Sequence, residues 1–339
     1  MQRTANQIGL RKCGPLGNTH ILVDFLGEGG FGVVTKCIST VTGTEVAIKV
    51  NKNRPHIFNQ ARREIEILKR LRGLDPDTCN IVKWNGFFFH KENICLNFEL
   101  LDKSLHDYRV HRRNANLSMR ELRPVIHQLA TALSHLSSKQ IVHADLKPEN
   151  VMVVDSTQQQ IRVRLIDFGL AHPRFGTDPG ACVQTTWYRA PEVIIQLPFD
   201  EAIDMWSLGL TIVEMATGYP MYPGDTEYDV LRYIVETQGQ PPDHMLDSGV
   251  CTKYYFQLIV SDTEDPSDKR LLLDLIKRML ELDPVQRIKP LEVLQHPFLT
   301  HSLEGGMQTQ HSIVSSVCKA RPENVHHGQR PLQLHAHGQ

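Results

Sequence analysis

The stretch Leu26-Gly-Glu-Gly-Gly-Phe-Gly-Val-Val34 constrains the fold more than any other part of the chain. Glycines let backbone amides approach phosphate oxygens where a Cβ would intrude. In dinucleotide-binding folds a Gly-x-Gly-x-x-Gly of this kind opens a helix. Here the apolar run His20 to Leu26 precedes it and a second strand, Val33 to Ile38, follows it. The glycines therefore sit inside antiparallel sheet, which argues against a dinucleotide fold and leaves a phosphate-covering loop or a plain glycine-rich hairpin.

The pattern continues as sheet. Glu45 to Val50 reads as a third strand behind the turn Thr42-Gly43-Thr44, and Ile81 to Phe89 and Ile94 to Phe98 as two more. A single helix interrupts them, Arg62 to Leu71, with Ile65, Leu68 and Leu71 on one face. After Leu101 the periodicity turns helical. Arg123 to Ser138 spaces Val125, Ile126, Leu129, Leu133 and Leu136 at three and four residues. Asp204 to Thr217 is apolar nearly all round, as in a buried helix, and Lys269 to Leu282 is amphipathic before Asp283-Pro284 stops it. The expected class is α+β, with a sheet-rich first part carrying one main helix and a mostly helical second part.

At 339 residues the chain is long enough for two lobes. A net charge of -1 gives no electrostatic case for nucleic-acid or membrane binding. The seven cysteines are scattered without a Cys-x-x-Cys pair, which reads as reduced thiols in an intracellular protein. No signal-like apolar core opens the chain, and no apolar run approaches membrane-spanning length. Residues 1–19 are expected to be a flexible lead-in and 301–339 a mobile tail, since little in either can be buried. The tail's His326, His327, His335 and His337 lack acidic or cysteine partners at regular spacing and are read as low-complexity sequence.

Three short segments carry chemistry. Val46-Ala-Ile-Lys49 places a lysine among apolar neighbours, where an unpaired charge is costly. Glu64 on the following helix is the better-spaced partner, with Glu66 the alternative. Ile141 to Asn150 brings a carboxylate (Asp145), a cation (Lys147) and an amide (Asn150) within a few residues, stiffened by Pro148. Leu165-Ile-Asp167-Phe-Gly169 puts a carboxylate at a strand end, and such an oxygen ligand suits Mg²⁺.

Glycine loop, Val-Ala-Ile-Lys, Asp-x-x-x-x-Asn, Asp-Phe-Gly and Ala190-Pro191-Glu192 occur in this order, and together they resemble the protein-kinase signature set. The resemblance covers residues 20–300 and implies a bilobal kinase fold, with an N-lobe over 20–101 and a C-lobe over 102–300. It implies ATP and Mg²⁺ as cofactors and protein substrates as partners, in a monomer. Asp145 would accept the substrate hydroxyl proton, and Lys147 would neutralise the transferring phosphoryl group. Lys49, held by Glu64, would contact the α/β-phosphates, while Asn150 and Asp167 would hold the metal. Leu26, Gly27, Gly29, Gly32, Val34, Ala47, Leu101 and Met152, with the backbone of Glu99, would surround the nucleotide behind the gate residue Phe98. Glu192 would pair with Arg287, and Asp204 would brace the catalytic loop.

The reading His143-Ala-Asp145 narrows the resemblance. Most kinases carry arginine in the middle, which binds a phosphorylated activation loop. His-Ala-Asp-Leu-Lys-Pro-Glu-Asn is similar to the homeodomain-interacting protein kinases, near the dual-specificity tyrosine-regulated kinases. Leu197 to Gly209, Glu227 to Tyr233 and Thr237-Gln-Gly239 share that likeness; the family's insert is shortened between Cys251 and Asp268. Where relatives carry an autophosphorylated tyrosine, seven residues before Arg189, this chain has Cys182, and Thr186 replaces an arginine that grips the phosphate. The expectation is a Ser/Thr kinase that does not use activation-loop phosphotyrosine and favours proline after the target residue. It would act on transcription regulators in the nucleus, with the cytoplasm also open. The altered segment leaves a second reading, a weakly active or pseudokinase scaffold. The basic run Arg109, His111, Arg112, Arg113 reads as a solvated face before a dock for acidic partners.

Overall fold

In the computed structural model the described residues are 15–112, 116–175, 180–255 and 269–300. The tail, its histidines, the lead-in before Pro15 and residues 256–268 of the expected shortened insert lie outside them. The N-lobe is an antiparallel sheet of β1 (His20–Glu28), β2 (Gly32–Ser39), β3 (Glu45–Asn51), β4 (Trp84–His90) and β5 (Asn93–Glu99), in the order β1-β2-β3-β5-β4. Alternation along β3 sends Val46, Ile48 and Val50 into an outer apolar layer with Val33, Cys37 and Cys95. Ala47 and Lys49 consequently face the other way, toward the cleft. Gly32 is required where β2 crosses β3, since a Cβ there would lie 2.0 Å from the Val50 carbonyl oxygen.

Helix α1 (Pro55–Leu71) starts seven residues before the predicted Arg62. Pro55 at its first position, with its preset φ, nucleates a turn that apolar periodicity does not reveal. The short α2 (Pro76–Cys79) follows. Residues 15–19 also differ from the expected lead-in. Leu16 is buried in the outer layer and forms an isolated bridge to His20, so residues 15–19 turn back onto the sheet.

The C-lobe begins with β6 (Lys103–Ser104) and α3 (Leu105–Val110), then α4 (Met119–Ser138). Helix α4 begins before the predicted Arg123 because Ser118 and Glu121 form a capping box. This satisfies two orphan donors and outweighs Pro124 within the helix. The strand pairs β7 (Ile141–Val142) with β10 (His172–Pro173), and β8 (Val151–Val153) with β9 (Val163–Leu165), carry the loops of the cleft. Below them lie α5 (Pro191–Ile194), α6 (Ala202–Thr217), α7 (Glu227–Gln238), α8 (Asp243–Ser248), α9 (Thr252–Tyr255), α10 (Lys269–Met279), α11 (Pro290–Gln295) and α12 (Pro297–Thr300). Every residue of α6 from Ile203 to Met215 is buried, which makes it the centre of this lobe. No helix among the described residues is long and apolar enough to cross a membrane.

Candidate active site

The cleft between sheet and helices collects the residues singled out above. Lys49 on β3 lies opposite Val34 of β2 and Leu96 of β5. Its Nζ donates to Glu64 Oε1 at 2.9 Å and Oε2 at 3.0 Å, and to Asp167 Oδ1 at 2.7 Å. Burial works against the ammonium, but the neighbouring Asp167 and Glu64 carboxylates prevail and raise its pKa. Burial likewise opposes the Asp167 charge, yet Lys49 holds that carboxyl below its ordinary value. Glu64 rather than Glu66 is the partner because it lies on the buried stripe of α1 with Ala61, Ile65 and Leu68. Glu66 pairs with Lys69 at 2.8 Å on the exposed side.

A second cluster surrounds Asp145. Lys147 Nζ donates to Asp145 Oδ2 at 2.8 Å and to Thr185 Oγ1 at 2.7 Å. The Thr185 hydroxyl in turn donates to Asp145 Oδ1 at 2.7 Å. Asn150 Nδ2 donates to the Asp145 carbonyl at 2.8 Å and to its Oδ2 at 2.9 Å. With its amide nitrogen so engaged, Asn150 presents Oδ1 as its remaining polar atom. Asp167 takes φ 59 and the fully buried Phe168 meets the His143 ring edge-on at 5.1 Å. His143 Nε2 lies 2.9 Å from the Ile166 carbonyl, and Asp204 receives the backbone amides of His143 and Ala144. The metal candidates Asn150 and Asp167 thus supply oxygens from two loops fixed to each other. Among the described residues no three His, Cys, Asp or Glu side chains form a metal cluster. A hard cation here would be held by these two oxygens together with phosphate and water, which suits Mg²⁺.

This arrangement of a lysine shared by two carboxylates beside a buttressed carboxylate–lysine pair coincides with a match over most of the chain. A family model described as the protein kinase domain matches residues 21–299. The chain belongs to the protein kinase family. Among curated proteins it is similar to homeodomain-interacting protein kinase 2 of Mesocricetus auratus, 40% identical over 332 residues, covering 84% of this chain and 28% of the relative. Homeodomain-interacting protein kinase 1 of Caenorhabditis elegans is 43% identical over 251 residues, covering 74% of this chain and 30% of the relative. Homeodomain-interacting protein kinase 4 of Homo sapiens is 33% identical over 350 residues, covering 86% and 56%. The chain spans 28% to 30% of the length of the first two.

In this kinase domain the nucleotide candidates line the cleft from both lobes. Val34 and Ala47 are half-buried under the sheet, Leu26 is half exposed on β1, and Gly27 and Gly29 flank the turn closed by Gly32. Met152 of β8 is half-buried, and Leu101 is buried just past β5. Three further residues brace this surface without having stood out in the sequence. Lys52 Nζ donates to the Gly29 carbonyl at 3.1 Å, and Gln60 Nε2 to the Gly169 carbonyl at 2.7 Å. Buried Arg164 lies 3.5 Å from Glu99 and 2.5 Å from Asp77. Each reaches a partner distant in sequence, a backbone carbonyl for Lys52 and Gln60 and side-chain carboxylates for Arg164, so no local motif announces it.

The activation segment of the kinase domain is tied down by Arg189. Its Nε donates to the Val183 carbonyl at 2.9 Å, its Nη2 to the Gln184 carbonyl at 2.6 Å, and its Nη1 to Glu227. The exposed Cys182 lies 3.9 Å from Arg189 Nη2, so a cation does stand beside this thiol. Gln184 takes φ 62 and accepts the Ala190 amide at 2.9 Å. Glu192 and Arg287 are both buried and paired at 2.5 Å and 3.0 Å. The basic run is not a uniformly solvated face. Arg109 is buried, 2.7 Å from the Gly218 carbonyl and 3.2 Å from Glu214, because the inward side of α3 meets the C-terminal end of α6. Arg112 pairs with Glu121 at 2.5 Å, and Arg113 lies outside the described residues.

Proposed function

We propose that the chain is an active serine/threonine kinase, using ATP and Mg²⁺ to phosphorylate Ser or Thr followed by Pro. The observation that carries this reading is Lys49 contacting Glu64 and Asp167 at once, at 2.9 Å and 2.7 Å. Protein kinases are competent when the lysine–glutamate pair and the Asp of Asp-Phe-Gly are in place together. Bound Mg²⁺ would neutralise charge on the phosphates. Asp145 would orient the substrate hydroxyl and receive its proton, taking the contact now made by Thr185. Lys147 would face the transferring phosphoryl group, and Asn150 and Asp167 would hold the metal through oxygens. Lys49 and the amides of Gly27, Gly29 and Gly32 would fix the phosphates.

Two finer statements rest on the activation segment. Arg189 occupies the Val183 carbonyl, so that oxygen is not available to an amide of the residue after the target. Proline has no N–H and loses nothing there, which supports a Pro preference. Ala144 cannot read a phosphate, and Arg189 already has a carboxylate partner in Glu227. Both support activity without activation-loop phosphotyrosine. The relatives' name points to transcription regulators, and hence to the nucleus, as the first place to seek substrates.

A Ser/Thr peptide library, with phosphosite mapping of the active enzyme, tests all of this. The expected result is Ser/Thr-Pro turnover that Asp145→Asn lowers by about 10²–10⁴-fold. Indifference to the following residue would remove the Pro preference, and a required phosphotyrosine at Tyr188 would remove phosphate independence. Equal, absent activity in wild type and Asp145→Asn would leave the scaffold reading, which Cys182 favours.

A further inference from the structure

Away from the cleft, a groove of about 490 Å³ runs between the first turns of α4, the connection from β8 to β9, and α12. None of its lining residues belongs to the nucleotide or catalytic set. Its floor is apolar, formed by Pro124, the buried Ile161 and Leu299 packed against the core. Its walls are rigidly joined. Gln128 donates to the Ile161 carbonyl at 3.0 Å and accepts the Val163 amide at 2.7 Å, which pins the β8–β9 connection to α4. Arg123 lies over the Phe298 ring at 4.9 Å, which pins α4 to α12.

The basic residues around this floor stand on one wall. Arg120, Arg123 and His127 line it from α4, while Gln159 and Gln160 from the opposite wall are neutral. The only acidic residue lining it among the described residues, Glu121, is already engaged by Arg112 at 2.5 Å and by the Ser118 hydroxyl at 2.7 Å. Arg120 and His127 are exposed and form no ion pair among the described residues. We propose that this groove docks an acidic linear segment of a protein partner, its leucine-type side chains on Pro124, Ile161 and Leu299 and its carboxylates on Arg120 and His127. A peptide fits better than a nucleic acid. Among the described residues no Phe, Tyr or Trp lines the groove for base stacking, the basic groups are few, and the floor suits aliphatic side chains.

The direct test uses the full chain without nucleotide, and as probe a fluorescein-labelled peptide of about twelve residues with alternating Leu and Glu at its centre. Fluorescence polarisation should show saturable binding that weakens with salt. The double variant Arg120→Glu with His127→Glu, both exposed positions, should lose at least about tenfold in affinity while its melting temperature stays unchanged. Grafting the acidic segment onto a Ser-Pro substrate should lower KM without changing kcat, and the variant should abolish that gain. The KM arm alone rests on the kinase reading; binding without nucleotide stands whether or not the chain turns over. Equal affinity in the variant, or equal binding of a Lys-for-Glu probe, would overturn the proposal. Displacement of the probe by a synthetic 301–320 peptide would overturn it in favour of the chain's own segment. Displacement by polyuridylate would do so in favour of nucleic acid, and self-association lost in the variant in favour of a second copy.

Discussion

Asp204 holds Ala144 in a conformation that alanine rarely adopts. The carboxylate accepts the Ala144 amide at 2.8 Å and the His143 amide at 2.7 Å, while Ala144 sits fully buried at φ 62. Positive φ brings Cβ toward the following carbonyl, at a cost of roughly 1–2 kcal/mol. The two amide bonds, made inside the C-lobe from α6, offset that cost and aim the next residue, Asp145, into the cleft.

Asp204→Leu should therefore disorder the catalytic loop. With both amides left buried and unpaired, the expected loss is about 2–5 kcal/mol of stability, with kcat falling more than KM rises. Ala144→Gly should be within about 1 kcal/mol of wild type, whereas Ala144→Val, β-branched at positive φ, should be clearly destabilised. Urea unfolding of the three variants beside kinase assays checks the ordering.

The Glu192–Arg287 pair should behave as a buried ion pair that tolerates removal only as a unit. Arg287→Met alone strands the Glu192 carboxylate and should cost about 3–5 kcal/mol. Adding Glu192→Leu should restore a good part of that loss. A double-mutant cycle by chemical denaturation measures the recovery, and a double variant no better than Arg287→Met would contradict the account.

Arg189 depends on Glu227 for its orientation, and Tyr255 also reaches that carboxylate at 3.2 Å. Glu227→Gln should leave the fold intact, since Glu227 is partly exposed, with a stability change of about 1–2 kcal/mol. Turnover of Ser-Pro peptides should fall, and the ratio of Pro to Ala after the target residue should narrow. Peptide kinetics on matched Pro and Ala substrates give the answer.

Glu121 gives a pH signature. Burial opposes its charge, but the bonds from Arg112 and Ser118 win and hold its carboxyl below the ordinary value. A carboxyl lowered in the folded state stabilises above its unfolded pKa of about 4.3, and the contribution disappears as pH falls through the folded value. The melting-temperature gap between wild type and Glu121→Gln should be constant from neutral pH down to about 5 and shrink progressively as pH falls below the unfolded value of about 4.3. A gap that persists unchanged to the acid limit would show that the capping box does not set it.

Much of the site was legible because kinase chemistry is written in short local patterns. A glycine turn, a strand lysine, Asp-x-x-x-x-Asn and Asp-Phe-Gly each need a fixed backbone over a few residues, so their spacing survives in sequence. The helix starts at Pro55 and, behind its cap Ser118, at Met119 lie upstream of the apolar periodicity. Their signals are a φ-restricted first residue and a side-chain cap, which apolar periodicity ignores.

The sequence by itself determined the α+β class, the order of the motifs, and that Lys49 needed a carboxylate. Only the tertiary structure decided that one lysine serves both Glu64 and Asp167. It likewise decided that Arg109 is an interior residue and not part of a solvated face, and that Arg189 is held by Glu227. The physical reason is common to all three. Each is a pairing of charges far apart in the chain, and whether a charge is buried, and beside which partner, follows from how the helices and sheet pack and not from the residues adjoining it.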